Sequence, residues 1–306
     1  MSTMLVSAAD ERYGYWLLNL LGSVDANSRV FDGTVVYDLG LSRFQRRLAD
    51  RIDGIEIREV PHFVPHWRQG RTWKLWIWRH LEAEKILWLD AGVSVLRNVA
   101  EPLTQIDERG YFAVANGHPN RESIPADWYD LYGIKPDLAD RIGISTGIFG
   151  FRTSGEIFDR VIVPSFEDAV DGRCLGFSPA DAHFNFGLDR LDDVVVRDCE
   201  LFRWDQSVVN VHFFKAFQDP YINDVYKYGG WISPKQHPEQ LFWNHRRRGD
   251  FAYLSRIRFT RPLRPLGNAW GAWFRARWWA KNHSWLFRPA TYLRKASRVA
   301  AAPFAR

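Results

Sequence analysis

The sequence predicts an α/β domain: a three-layer sandwich built on a central, mostly parallel mixed sheet, with a basic helical appendage at its C-terminal side. Three observations predict it. Apolar or β-branched runs alternate with helix-length patterns over the first 115 residues, the order that builds parallel sheets covered by helices. Apolar residues make up 46% and charged residues 25% of the 306-residue chain, a globular balance with enough apolar surface for a sizeable core. Charge is also split along the chain. Ten Arg, two Lys and no Asp or Glu between Phe251 and Arg306 give +12, leaving −7 for residues 1–250 of a net +5. The expected division is therefore a body over 1–250 and an appendage over 251–306.

The elements follow in order. Met4–Ser7 is a short apolar strand and Tyr13–Leu21 a helix with apolar residues on more than one face. Thr34–Tyr37 is a β-branched run, hence a strand. Ser42 is the N-cap of a helix carrying Phe44, Leu48 and Ile52 at a spacing of four. Ile55–Val60 alternates as a strand does, Pro61–Gly70 is a loop, and Trp73–Ala83 is helical. Lys85–Asp90 is a buried strand running out at Gly92, and Tyr111–Ala115 is another. The polar, Pro-containing stretch Gly117–Asp140 reads as a loop or lid. Ile148–Arg152 is a strand, Glu156–Ala169 a helix interrupted at Pro164, Val194–Val196 a strand and Asp205–Phe214 a helix. Beyond residue 251 short helices are broken by Pro262, Pro265, Gly267 and Pro289, with Trp270, Trp273, Phe274, Trp278 and Trp285 on one broad face.

In a sheet of this kind ligands bind beyond the carboxyl ends of the strands. That makes Ala8–Asp10, Asp38–Ser42, Pro61–Arg71, Asp90–Gly92 and Asn116–His118 the stretches to watch. The two cysteines, Cys174 and Cys199, stand in no metal spacing and suggest a reducing, cytoplasmic setting. No signal peptide is expected from the first residues, and no run reaches the roughly 18 apolar residues that span a bilayer. The Arg- and Trp-rich appendage suits an anionic membrane surface, at the inner face if the protein is cytoplasmic. The acidic body argues against nucleic acid as a partner.

The strongest motif is Trp73-Lys74-Leu75-Trp76, followed by Lys85-Ile86-Leu87-Trp88-Leu89-Asp90-Ala91-Gly92: a helix feeding a buried strand that ends on an acid. This resembles the GT-A glycosyltransferases, above all the retaining galactosyl- and glycogenin-type families, with their Asp-x-Asp motif. Val6-Ser7-Ala8-Ala9-Asp10 is similar to the family's first strand and nucleotide-binding loop. Ser145-Thr146-Gly147-Ile148-Phe149-Gly150-Phe151 is similar to its strand near the donor sugar, and Trp204-Asp205-Gln206 through Asn210 to its Asp-Gln…Asn helix start. The pieces span about residues 4–215 in the family's order.

The resemblance implies transfer of a sugar from a nucleotide-sugar donor to a glycan or lipid-linked polysaccharide precursor, with retention favoured over inversion. Ser7, Ala8, Ala9, Asp10 and Asp38 would hold the nucleoside. Asp90, Ala91, Gly92, Arg71, Lys74 and Arg246 would lie at the diphosphate. Ser145, Thr146, Gly147, Asp205 and Gln206 would lie at the sugar, with Asp205, Gln206 and Asp90 the catalytic candidates. One departure matters: Gly92 stands where the family has its second Asp. A Mn or Mg ion on Asp90 would then need a further ligand such as His212 or His245; otherwise cations such as Arg71, Lys74 or Arg246 would meet the diphosphate. Two other readings stand beside this one. Val35-Val36-Tyr37-Asp38-Leu39-Gly40 is similar to the first motif of S-adenosylmethionine-dependent methyltransferases, although no second glycine follows. A GT-A-like binding protein without catalysis is compatible with Gly92.

Overall fold

In the computed structural model, residues 2–176, 199, 201–230, 234–244, 253–259, 273 and 276 are described. Six strands form the central sheet: β1 (Thr3–Ala9), β2 (Gly33–Asp38), β3 (Ile55–Glu59), β4 (Lys85–Leu89), β6 (Tyr111–Pro119) and β7 (Ile142–Arg152). Their spatial order is β3-β2-β1-β4-β7-β6. β3, β2, β1 and β4 are parallel, while β7 runs antiparallel to both its neighbours. The order turns back between β1 and β4, and that reversal opens a crevice beyond their carboxyl ends.

The period-2 alternation of the strands sorts their side chains onto two faces. Leu5, Leu87 and Leu89 enter one core with Leu20 of α1 (Gly14–Asn27) and Leu103 and Ile106 of α4 (Ala100–Arg109). Val6, Ala8, Ile86 and Trp88 enter the other. There they meet α3 (Thr72–His80), α7 (Val163–Val170) and α8 (Asp205–Ala216). Trp78, Trp88, Phe149 and Phe151 pack ring against ring in that layer. Ser42 caps α2 (Arg43–Ala49) through a reciprocal box with Gln45.

Four features depart from expectation. A short strand, β5 (Val93–Val95), follows β4 and pairs with β9 (Phe242–Asn244), which also pairs with β8 (Gly229–Gly230). The stretch expected to be a loop or lid contains α5 (Asn120–Ser123) and α6 (Ala126–Tyr132). It is packed because Ile124, Trp128, Ile134 and Leu138 are all buried. Pro164 does not end its helix: helical residues run from 156 to 170, and the π turn over Phe158–Ile162 just ahead of the proline accommodates its missing N–H. Finally, the core runs past residue 250. Leu254, Ile257 and Phe259 are buried against Leu17, Leu18, Leu21 and Ile52, and Arg258 pairs with Asp25 at 2.7 Å. The strand expected at Val194–Val196 and the appendage from residue 260, apart from 273 and 276, lie outside the described residues. Among the described residues no helix is long and apolar enough to cross a membrane.

Gly22 on α1 makes the docking of residues 253–259 testable, since a Cβ there would sit 2.1 Å from the Tyr253 carbonyl oxygen. Gly22→Ala is expected to cost roughly 1–3 kcal/mol in urea unfolding, the usual scale for overpacking. An unchanged midpoint would show that the segment does not rest on α1.

Candidate functional site

Four charged side chains from distant parts of the chain meet just beyond β4. Asp90 follows the strand, and its backbone N–H donates to the Gly147 carbonyl at 2.8 Å, extending the β4–β7 ladder. Lys74 arrives from α3: its Nζ lies 3.0 Å from Asp90 Oδ1 and 2.9 Å from Asp205 Oδ2. It also donates to the Thr146 carbonyl at 3.3 Å. Three ammonium protons thus have three acceptors. Both Lys74 and Asp205 are fully buried, which such charges tolerate only when paired and hydrogen-bonded. Trp88 Nε1 donates to Asp90 Oδ1 at 2.9 Å, and Thr146 Oγ1 to Asp205 Oδ2 at 2.7 Å.

Arg71 completes the cluster, with Nη1 3.2 Å from Asp205 Oδ1. An unusual turn aims it there. Gly70 (φ 54°) and Arg71 (φ 58°) are both left-handed. A Cβ at Gly70 would lie 2.4 Å from the Cys174 carbonyl oxygen, so only glycine fits. Burial pulls the Arg71 pKa down, but Asp205 and Asp90 outweigh it and leave the guanidinium above its ordinary value. Asn210 of α8 pins the neighbouring strand: its amide accepts from Ile144 N–H at 2.7 Å and donates to Ile144 C=O at 3.0 Å.

Two cavities open on this cluster. The larger, about 900 Å³, lies beyond the carboxyl ends of β1, β2 and β4. The smaller, about 320 Å³, lies over the Ser145–Gly147 backbone. Arg71, Asp90 and Trp204 line both. Trp204, at the N-cap of α8, is 45% exposed and holds the Arg71 guanidinium 4.9 Å from its ring centre. Arg71 and Trp204 are also the non-glycine residues with positive φ among the described residues. Strained backbone thus gathers where the cavities meet. In the smaller cavity Gln206 is 7% exposed, and its Nε2 has no hydrogen-bond partner among the described residues.

Most of the residues expected at a site are brought together here. Ala8, Ala9, Asp10, Arg71, Asp90, Ala91 and Gly92 line the larger cavity, and Ser145, Thr146, Gly147 and Gln206 the smaller. Lys74 and Asp205 lie behind the walls and act through Asp90 and Arg71. Three expectations need correction. Ser7 is buried between strands, its hydroxyl spent on the Leu89 carbonyl at 2.7 Å. Asp38 builds a turn instead of facing the cleft: it accepts from Gly40 and Leu41 N–H and pairs with Arg46. His212 is not beside Asp90, because its Nε2 is 2.7 Å from Asp168, which also accepts from Tyr132. His245 and Arg246 lie outside the described residues. Arg12, Tyr13, Arg68, Trp73 and Trp204 also line the larger cavity, although none is among the site residues expected from the sequence. Arg68 falls in the Pro61–Arg71 loop that the sheet-end rule marks, and Trp73 and Trp204 fall inside the motifs that carry the resemblance; nothing in the local pattern marks Arg12 or Tyr13.

The donor set does not suit a divalent metal. Such an ion wants several oxygens and net negative charge. Here two carboxylates are already matched by two protein cations, Lys74 and Arg71. Among the described residues no cluster of three or more His, Cys, Asp or Glu could hold a metal ion. Cys174 is no substitute ligand, since complete burial raises its thiol well above the ordinary value.

No family model and no curated protein matches the chain. Among solved structures it is similar to the apo form of the bifunctional glycosyltransferase WbbM, at TM-score 0.53 and 10% identity. That match covers 88% of this chain and 51% of the other, so the chain spans about half the length of WbbM. It is also similar to the galactosyltransferase LgtC in complex with donor and acceptor sugar analogues (TM-score 0.46, 16% identity, 79% of this chain and 86% of that one). An active-site mutant of LgtC gives TM-score 0.38 at 20% identity over 65% and 83% of the two chains. The likeness to WbbM is one of fold: a mixed α/β architecture of the GT-A type.

Lys74→Met leaves Asp205 buried without its ammonium and is expected to cost about 3–5 kcal/mol of stability in urea unfolding. Adding Asp205→Asn, which removes the stranded charge, should recover part of that loss. Equal stability of Lys74→Met and the parent would mean that the ammonium does not hold these elements together.

Proposed function

We propose that the protein is a glycosyltransferase that carries a sugar from a nucleotide-sugar donor to a glycan or lipid-linked acceptor. The observation that supports this is the pair of adjoining cavities with Asp90, Arg71 and Trp204 as their common wall. One is large enough for a nucleotide; the other is polar and sugar-sized. In this reading the nucleoside lies against Ala8–Asp10 and Tyr13, and the diphosphate over Arg71 and Asp90. The sugar sits beside Ser145–Gly147 and Gln206. Gln206 Nε2, unpaired and nearly buried, would regain a partner in a sugar oxygen, worth about 1–3 kcal/mol to a buried donor.

The reaction breaks the bond between the anomeric carbon and the diphosphate oxygen, whose electron pair leaves with the diphosphate. The acceptor oxygen bonds to the anomeric carbon and passes its proton to the departing diphosphate oxygen. The transition state is oxocarbenium-like, and the charge growing on the leaving group is what the protein must stabilise. Among the described residues Asp90 is the one carboxylate lining the smaller cavity, and Lys74 holds it. Among the described residues no second carboxylate stands there to serve as base for attack from the opposite face, and the reading favours retention. The methyltransferase alternative finds no support, because the Asp38 carboxylate is engaged within its own turn.

The appendage supports a lipid-linked acceptor. Eight Arg and two Lys, with no acid, lie between residues 260 and 306, the pattern of a segment drawn to anionic lipid at the inner membrane face. Truncation after Phe259 keeps the packed segment and should weaken binding to phosphatidylglycerol vesicles while sparing donor binding. Unchanged vesicle binding would remove the membrane from the picture.

The main test is a panel of nucleotide sugars screened by thermal shift and by transfer or hydrolysis. One donor should stabilise the protein and be turned over. Asp90→Asn should lower kcat by about a hundredfold or more, the scale set by a lost electrostatic contact at the reacting centre. Binding without any turnover would instead favour a binding protein, and an unaffected Asp90→Asn variant would take Asp90 out of the chemistry.

A further inference from the structure

We propose that the diphosphate is bound without a divalent metal, by the guanidinium groups of Arg71 and Arg68. Lys74 is then the internal cation that neutralises the carboxylates a metal would use. This rests on the nucleotide-sugar reading above and names the machinery at its diphosphate.

The charges come first. Asp90 and Asp205 carry two negative charges, and Lys74 bridges them from the buried side at 3.0 and 2.9 Å. Arg71 adds a second cation to Asp205 at 3.2 Å. The four groups sum to zero, so nothing in the cluster recruits a divalent ion, and a metal entering between the carboxylates would have to displace an ammonium that is 1% exposed. Lys74 has no proton to spare for phosphate, since Thr146 takes the third. It is therefore a positioning residue that fixes Asp90 and Asp205.

The two arginines are differently placed. Arg71 bonds Asp205 through Nη1, with a third of its side chain exposed on the wall between the cavities. Its planar group carries five N–H donors, so donors remain for a ligand. Arg68, three residues earlier on the same turn, lines the larger cavity and stacks on Trp67 at 4.8 Å. Among the described residues it has no carboxylate partner. Its Nη2 lies 4.0 Å from where a Cβ on Gly40 would be, at the end of β2. Two guanidinium groups on one turn match a diphosphate in charge and in forked hydrogen-bond geometry. When the anomeric bond breaks, its electron pair goes to an oxygen they already neutralise.

The test uses the full chain, stripped with chelator, and calorimetric titration with UDP, GDP, ADP and CDP. The tightest of these should bind with a Kd that agrees within about twofold in excess EDTA and in Mn²⁺. Arg68→Ala should weaken it about tenfold or more, as loss of a charge-assisted contact does. Arg71→Lys, which keeps a cation beside Asp205, should do likewise by losing the fork. Mn²⁺ alone, followed by electron paramagnetic resonance, should keep its free-ion signal when protein is added. A larger loss of affinity in EDTA that Mn²⁺ restores, stoichiometric quenching of the Mn²⁺ signal, or arginine variants that bind normally would each overturn the proposal. Failure of all four diphosphates to bind in either buffer would remove the donor reading itself, and this inference with it.

Discussion

The ammonium of Lys74 is the contact on which the site depends. It ties the end of β4, through Asp90, to the start of α8, through Asp205, and to the β7 backbone at Thr146. These segments lie more than a hundred residues apart at the extremes of the cluster. Desolvating three charges is costly, and their mutual attraction recovers that cost only at good geometry. A small shift of any one segment would strand a charge in the core. Such an arrangement trades tolerance for a fixed geometry, the condition a reacting centre needs.

Other polar groups extend the same constraint. Asn210 treats the Ile144 peptide as a strand neighbour would and so holds β7 against α8. Asp38 spends its carboxylate on a turn and thereby sets the backbone of Leu39 and Gly40 at the cleft. Two turns along α8 from Asp205, His212 is gathered with Tyr132 by Asp168. In each case a polar side chain holds backbone or a neighbouring element in place, while Arg71, Asp90, Trp204 and Gln206 are left to line the cavities.

Much of the fold was legible because its signals are local. Apolar or β-branched runs marked β1, β2 and β4, alternation marked β3, and Ser42 ahead of Phe44, Leu48 and Ile52 marked α2. The sheet-end rule led to Ala8–Asp10, Asp90–Gly92 and the loop that holds Arg68. What stayed hidden depends on contacts distant in sequence. β5 has three residues and exists through its pairing with β9, about 150 positions later. Residues 120–139 look polar, yet four apolar side chains there find a core made by other segments. Nothing near Lys74 in sequence tells whether it is solvated or buried. Nothing around His212 announces Asp168. Trp204 becomes a shared wall only because α8 docks where two cavities meet.

The docked segment 253–259 fixes where the basic appendage leaves the body. Phe259 bridges to Ile52, ahead of the first residue of β3, and Arg258 is held by Asp25 near the last turn of α1. Both anchor points belong to the rim of the sheet remote from the cleft, which opens past the strands' other ends. A five-residue strand is about 17 Å long. A surface gripped at the exit point would therefore face the back of the molecule, and an appendage that presents the cleft to that surface must first travel the height of the sheet.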